Sequence, residues 1–190
     1  MNVYDFDNTI YNGDSTLDFY LFTLKRHPKA WLFLPRLLYT FLCYAVFKKM
    51  DKTAFKERMY RFLHLVNIEK DLPEFWEQKS KKIKQWYIDK KQPDDLVISA
   101  SPFFLLSPIC EHLGILQPIA SLVDPKTGKY TGLNCHGAEK LRRFNALQGN
   151  PQNKKFYSDS YSDTPLALAA KEAYYVKGNK ITRWETPNKR

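Results

Sequence analysis

Val3-Tyr-Asp5-Phe-Asp7-Asn-Thr9 is the stretch from which the rest of the chain can be read. A β-prone apolar run ends in two carboxylates two residues apart, followed by a threonine. Strand alternation puts the Asp5 and Asp7 side chains on one face. Two like charges at a strand end are costly unless a cation or a phosphoryl group uses them, so the pattern reads as a metal or phosphate site. A calcium-binding EF-hand loop is excluded: Ile10 stands where that loop requires glycine, and no glutamate closes it.

Outward from this stretch, further β-rich runs are predicted at Leu96–Ala100, Ile119–Val123, Lys155–Asp159 and Ala173–Lys177, with Asn2–Asp7 as the first. Several are separated by helix-length segments. The alternation predicts an α/β fold with a Rossmann-like parallel sheet flanked by crossover helices. Between the first two runs lie about eighty residues, where a crossover needs only about a dozen. The sequence therefore predicts a discontinuous core, residues 1–11 and 92–190, interrupted by an all-helical cap over residues 12–91.

The insert carries apolar residues at helical spacing, for example Phe55, Met59, Phe62, Leu63 and Val66. Pro28, Pro35, Pro73 and Pro93 punctuate it, and Asp51 and Asp71 read as helix starters, which predicts three or four helices. Asp124-Pro-Lys-Thr-Gly-Lys-Tyr-Thr-Gly132 reads as a turn or small hairpin. Trp31–Phe47 is apolar but contains Pro35 and Arg36 and sits at the lower length limit for a membrane span. A single crossing there would also separate Asp5 from Ser99, so a cap helix, with contact to a membrane surface as the other reading, is expected.

With 44% hydrophobic and 26% charged residues the chain has a globular composition, which argues against long disorder. Cys43, Cys110 and Cys135 are odd in number and widely spaced, so neither a disulfide framework nor a zinc site is expected. Asp5 interrupts the first apolar run and leaves no room for a signal peptide. A cytoplasmic protein, peripheral at the inner face of the membrane if the cap touches lipid, is the expectation. The net charge of +10, with Lys and Arg crowding Lys48 to Lys91, favours anionic partners.

Three further signals follow predicted strands or open predicted helices. Leu96-Val-Ile-Ser99-Ala100-Ser-Pro102 ends an apolar strand in a hydroxyl and small residues, a corner that offers N–H groups to phosphate. Lys140 lies near the start of a helix in Cys135-His-Gly-Ala-Glu-Lys140, and Phe156-Tyr-Ser-Asp159-Ser-Tyr-Ser-Asp163 again runs from a strand into carboxylates. In open parallel sheets, ligands bind at the carboxyl ends of strands.

In this order the Asp5/Asp7/Thr9, Ser99, Lys140 and Asp159/Asp163 motifs resemble the haloacid-dehalogenase-like phosphatase superfamily. The insert after the first motif, with Ser-Ala-Ser-Pro and Ser-Asp-Ser-Tyr-Ser-Asp, resembles its phosphoserine-phosphatase-like, helical-capped subfamily, including phosphatidylglycerophosphatase-C-like members. The resemblance implies a magnesium-dependent phosphomonoester hydrolase with Asp5 as nucleophile, carrying an aspartyl-phosphate, and Asp7 as general acid and base. It implies phosphate binding by Thr9, Ser99, Ala100 and Lys140, and Mg²⁺ held by Asp5, the Asp7 backbone carbonyl, Asp159 and Asp163. Ala100-Ser101-Pro102 departs from the Gly-Gly that follows the serine in phosphoserine phosphatases, which argues against phosphoserine as substrate. The basic, aromatic cap instead suggests a lipid phosphate or a small soluble phosphomonoester, with Arg58 as a candidate substrate contact. The rival reading is a basic nucleic-acid- or anion-binding protein on a non-catalytic core of this fold. No helix-turn-helix, zinc-finger or RNA-binding motif supports it, so no specific nucleic-acid partner is expected.

Overall fold

The computed structural model describes residues 1–46, 51–115 and 117–186. Six strands form one sheet: β1 (Asn2–Tyr4), β2 (Leu96–Pro102), β3 (Ile119–Ser121), β4 (Lys155–Ser158), β5 (Glu172–Lys177) and β6 (Lys180–Arg183). Their spatial order is β3-β2-β1-β4-β5-β6, with the first five parallel and β6 antiparallel to β5. β1 therefore sits between β2 and β4, where the strand order reverses and a crevice opens beyond the strand ends. The predicted α/β class with a mostly parallel sheet is what the chain adopts.

Period-two alternation divides the apolar residues between the two faces of the sheet. Val3, Leu96, Ile98 and Phe156 face one cluster with Phe144 and Leu166. These come from helices α7 (Ala138–Gln148) and α8 (Thr164–Ala169). Tyr4 and Val97 face the other cluster with Leu105, Leu106 and Ile109 of α6 (Phe103–His112). Tyr4 stacks on Tyr157 of the adjacent strand, ring centroids 4.8 Å apart.

Between β1 and β2 the described chain is helical: α1 (Ser15–Arg26), α2 (Leu34–Phe41), α3 (Lys52–Met59), α4 (Ile68–Lys79) and α5 (Gln85–Lys90), with short 3-10 turns between α1 and α2, α3 and α4, and α4 and α5. The segment leaves and returns side by side. Asn12 N–H donates to Lys82 O and Lys84 N–H to Ile10 O, both at 2.8 Å. After this return, α5 lies on the sheet, Tyr87 packing edge-on against Tyr4 at 5.0 Å.

Several sequence expectations need correction. Among its described residues the insert holds five α-helices, not three or four. Asp51 does cap α3, accepting from Thr53 and Ala54 N–H, but α4 is capped by Asn67, and Asp71 is buried within it. Asp71 instead pairs with Arg26 Nε at 2.7 Å. The apolar stretch from Trp31 is no single helix: a 3-10 turn (Pro28–Phe33), α2 and a π-helical turn (Leu42–Val46) follow one another, and Phe47, like Lys48, lies outside the described residues. Among the described residues no helix is long and apolar enough to cross a membrane. β6 went unpredicted because its Lys-Ile-Thr-Arg offers a single large apolar side chain; it is specified by the turn at Gly178 (φ 61°) and its pairing with β5.

Candidate active site

β1 ends at Tyr4, so Asp5 and Asp7 project from the loop beyond it rather than from strand positions. The loop is built on one carbonyl: Ile10 and Tyr11 N–H both donate to Phe6 O at 3.0 Å. Asp5, Asp7, Ser99, Ala100, Lys140, Asp159 and Asp163 all line one cavity of about 380 Å³ at the carboxyl ends of β1, β2 and β4. Four separated sequence signals thus converge at the reversal of strand order.

Lys140 is at the centre of the charge arrangement, 2% exposed. Its ammonium lies 2.9 Å from Asp5 Oδ1 and 2.7 Å from Asp163 Oδ2. Burial pulls the ammonium down, but Asp5 and Asp163 outweigh it and hold Lys140 above its ordinary value. Burial pushes the Asp5 carboxyl up to about 7, with Lys140 opposing, because one ammonium is shared among several carboxylates. Phe6 N–H donates to Asp5 Oδ1 at 2.8 Å, which leaves Oδ2 the less engaged oxygen, 3.5 Å from Ser158 Oγ.

Asp7 accepts from Ser15 N–H at 2.7 Å and from the Ser101 hydroxyl. Burial raises its carboxyl to about 6, Asp14 adding to the shift and Ser101 opposing it. Ser101 was not singled out from the sequence, although its position two residues past Ser99 on β2 was the available signal. Ser158 was missed too. Its hydroxyl donates to Asp163 Oδ2 at 2.8 Å, and a serine inside a strand that is otherwise apolar on its buried face was the clue.

Thr9 and Arg58 are placed differently from the other candidates. Thr9 is fully buried beside the cavity, and its hydroxyl accepts from Asp159 N–H at 3.0 Å, tying the β1 loop to the end of β4. Arg58 lines a second groove on the outside of the insert, so it does not contact this cavity. The cavity wall facing the carboxylates is supplied by α1 and the α3 region: Leu17, Tyr20, Phe55, Met59 and Phe62. Lys56 on α3 reaches the β2 end, donating to Ala100 O at 3.0 Å.

A cation fits here. Asp5 and Asp163 share the Lys140 ammonium, burial raises the nearby Asp159 carboxyl, and Asp163 Oδ1 is buried with no hydrogen-bond partner among the described residues. Among the described residues no group of three or more His, Cys, Asp or Glu side chains is by itself placed to hold a metal ion. A hard ion that takes a few protein oxygens and keeps its own waters, as Mg²⁺ does, suits such an open set.

Fold and cavity together define an α/β protein with a ligand site at the carboxyl ends of its parallel strands, and the chain belongs to the haloacid dehalogenase-like hydrolase family, whose model matches residues 3–168. It is 33% identical over 99 residues to a probable phosphatase of Mycobacterium tuberculosis, a match that covers 48% of this chain and 34% of that protein. The match thus spans about a third of the curated relative's length. In fold it is similar to a protein of unknown function from Bordetella pertussis Tohama I, with TM-score 0.74, 19% identity and coverage of 91% and 87% of the two chains. It is also similar to a phospho-aspartyl intermediate analogue of phosphoserine phosphatase, with TM-score 0.55, 19% identity and coverage of 90% and 83%.

Proposed function

We propose that this hydrolase is a phosphomonoester phosphatase that works through an aspartyl-phosphate on Asp5 with Mg²⁺ as cofactor. The observation that carries the reading is Asp5 at the cavity floor, 2.9 Å from the Lys140 ammonium, with Asp7 beside it holding a carboxyl near 6.

In this reading Asp5 Oδ2 attacks phosphorus, the bond to the ester oxygen breaks, and Asp7 in its acid form gives that oxygen its proton. Asp7, now a carboxylate, takes a proton from water; the water oxygen bonds to phosphorus, the bond to Asp5 breaks, and phosphate leaves. A carboxyl near 6 carries out both proton steps close to neutral pH. Lys140, Ser99 Oγ and the N–H groups beyond β2 orient the phosphoryl oxygens and offset their charge. Asp5, the Asp7 carbonyl, Asp159 and Asp163 would hold Mg²⁺, which when bound neutralises charge on the transferring group. Ser101 and Ser15 N–H keep Asp7 in place.

Residues 12–91 act as the cap in this reading, and its apolar wall of Leu17, Tyr20, Phe55, Met59 and Phe62 favours a phosphate ester with an apolar leaving group, a lipid phosphate, over phosphoserine. A small soluble phosphomonoester is the second candidate. Cys43, Cys110 and Cys135 are free and buried, in keeping with a cytoplasmic setting. The test is phosphate release from phosphoserine, sugar phosphates, nucleotides and phosphatidylglycerophosphate, with Mg²⁺ or EDTA, beside Asp5→Asn. Release that needs both Mg²⁺ and Asp5 supports the reading; release that survives in Asp5→Asn would sink it.

A further inference from the structure

Helix α2 is turned inside out for a helix of a water-soluble surface. Its buried side is Leu37 and Thr40, while Leu38 is 62%, Tyr39 62%, Phe41 52% and Leu42 38% exposed. The preceding 3-10 turn adds Trp31 at 58% and Leu32 at 80% exposure. Scattered exposed leucines are ordinary, but a contiguous apolar face of this kind marks an interaction surface.

Beside that face runs a groove of about 610 Å³ lined by Arg36, Arg58, Arg61, His64 and Lys129. Its one carboxylate, Glu57, is engaged by Tyr130 N–H at 2.9 Å, and among the described residues none of the four Lys and Arg side chains pairs with an acid. Arg36 belongs to both features, at the border between the exposed side of α2 and the groove.

We propose that this face seats the protein on an anionic lipid surface, with headgroup phosphates entering the groove at Arg36, Arg58, Arg61 and Lys129 while Trp31, Leu38, Tyr39 and Leu42 lie among the upper acyl carbons. An apolar strip flanked by cations is the complement of a bilayer with negative headgroups. The α2 helix of eight residues is about 12 Å long, so it lies in the interface and does not span it. A second copy of the chain is disfavoured as occupant, since self-docking would bring two cationic grooves together in a protein of net charge +10. The surface is separate from the cavity and the proposal does not rest on hydrolysis.

The test is co-sedimentation of the full chain carrying Asp5→Asn with vesicles of phosphatidylcholine alone and of phosphatidylcholine mixed with phosphatidylglycerol. The expected result is binding to the mixed vesicles only, weakening as salt is raised, with a blue shift of Trp emission that Trp31→Phe removes. Arg36→Gln and Arg61→Gln should each lower partitioning by about fivefold, and Arg36→Lys should restore it. Equal binding to neutral vesicles, binding indifferent to these variants, or a dimer in lipid-free solution that shields Trp31 from a soluble quencher would each overturn the proposal. Because the Asp5→Asn chain is inert in the proposed chemistry, vesicle binding and phosphate release fail or succeed separately.

Discussion

Lys140 is the residue on which the charge balance of the cavity depends. Its ammonium is shared by Asp5 and Asp163, so Lys140→Met leaves two buried carboxylates without their neutralising cation. Removing one side of a buried ion pair costs about 3–5 kcal/mol, and the urea midpoint of the metal-free variant at pH 8 should fall accordingly. Phosphate release should drop by about 10²–10³, the usual effect of losing one preorganised electrostatic partner. The Asp5 carboxyl itself gives a pH signature. Its folded value of about 7 lies above the ordinary value of 3.8, so the folded chain keeps this proton longer than the unfolded one. Its contribution is therefore most favourable to folding below pH 4 and is lost as pH rises towards 7. In EDTA, chemical denaturation between pH 5 and pH 8 should show stability falling with pH, a slope that Asp5→Asn flattens and added Mg²⁺ reduces. A slope unchanged in Asp5→Asn would assign it to other groups. Asp5, Asp7 and Asp159 could be picked from sequence because charge beside an apolar strand is conspicuous, whereas Lys140, near a helix start, was legible only through the family resemblance; Ser101 and Ser158 left weaker signals, because a serine's importance lies in which carboxylate it meets.

Among the elements, α3 links the insert to the cavity, carrying Phe55, Lys56 and Met59 to its wall. Asp51 holds the start of α3 with two N–H contacts, at 2.8 and 2.9 Å, so Asp51→Ala should cost about 1 kcal/mol. With α3 frayed, KM should rise more than kcat falls, since the wall shapes binding and does not touch the reacting atoms. The other end of α3 runs into Tyr60, which meets the Asp124–Gly132 turn. Gly128 has φ +70°, and a Cβ there would lie 2.7 Å from both Tyr60 Cβ and its carbonyl oxygen. Gly128→Ala should therefore force backbone apart and lower stability by about 1–3 kcal/mol, with a raised KM as the sign that α3 has moved. Local chemistry made this turn and the Asp51 cap legible in the sequence. The starts of α4 and α5 and the breaks around α2 were not, because periodicity continues through 3-10 turns that only tertiary packing fixes.

In the molecule as a whole, the helical segment between β1 and β2 is set apart by its place in the chain and not by packing. The insert returns beside its point of departure, at Asn12 and Lys82, and long-range returns of this kind leave no local trace in a sequence. Once returned, it shares one apolar cluster with the sheet: Phe19 and Phe75 from α1 and α4 pack with Phe6, Tyr11, Leu105 and Ile109. Trp76 of α4 lies edge-on to Phe6 at 6.0 Å and donates from its indole to Leu105 O at 2.7 Å. A cluster continuous across the boundary gives the insert no apolar core of its own to keep when the sheet melts. Unfolding should therefore be a single transition, with near-ultraviolet dichroism, far-ultraviolet dichroism and Trp fluorescence coincident in urea. Phe75→Ala, which opens a cavity in that shared cluster, should lower stability by about 3–5 kcal/mol and shift all three probes together. If the helical signal instead melted first while the sheet kept its near-ultraviolet signature, the insert would be an independently folding unit, and its closure over the cavity would be a docking of two bodies.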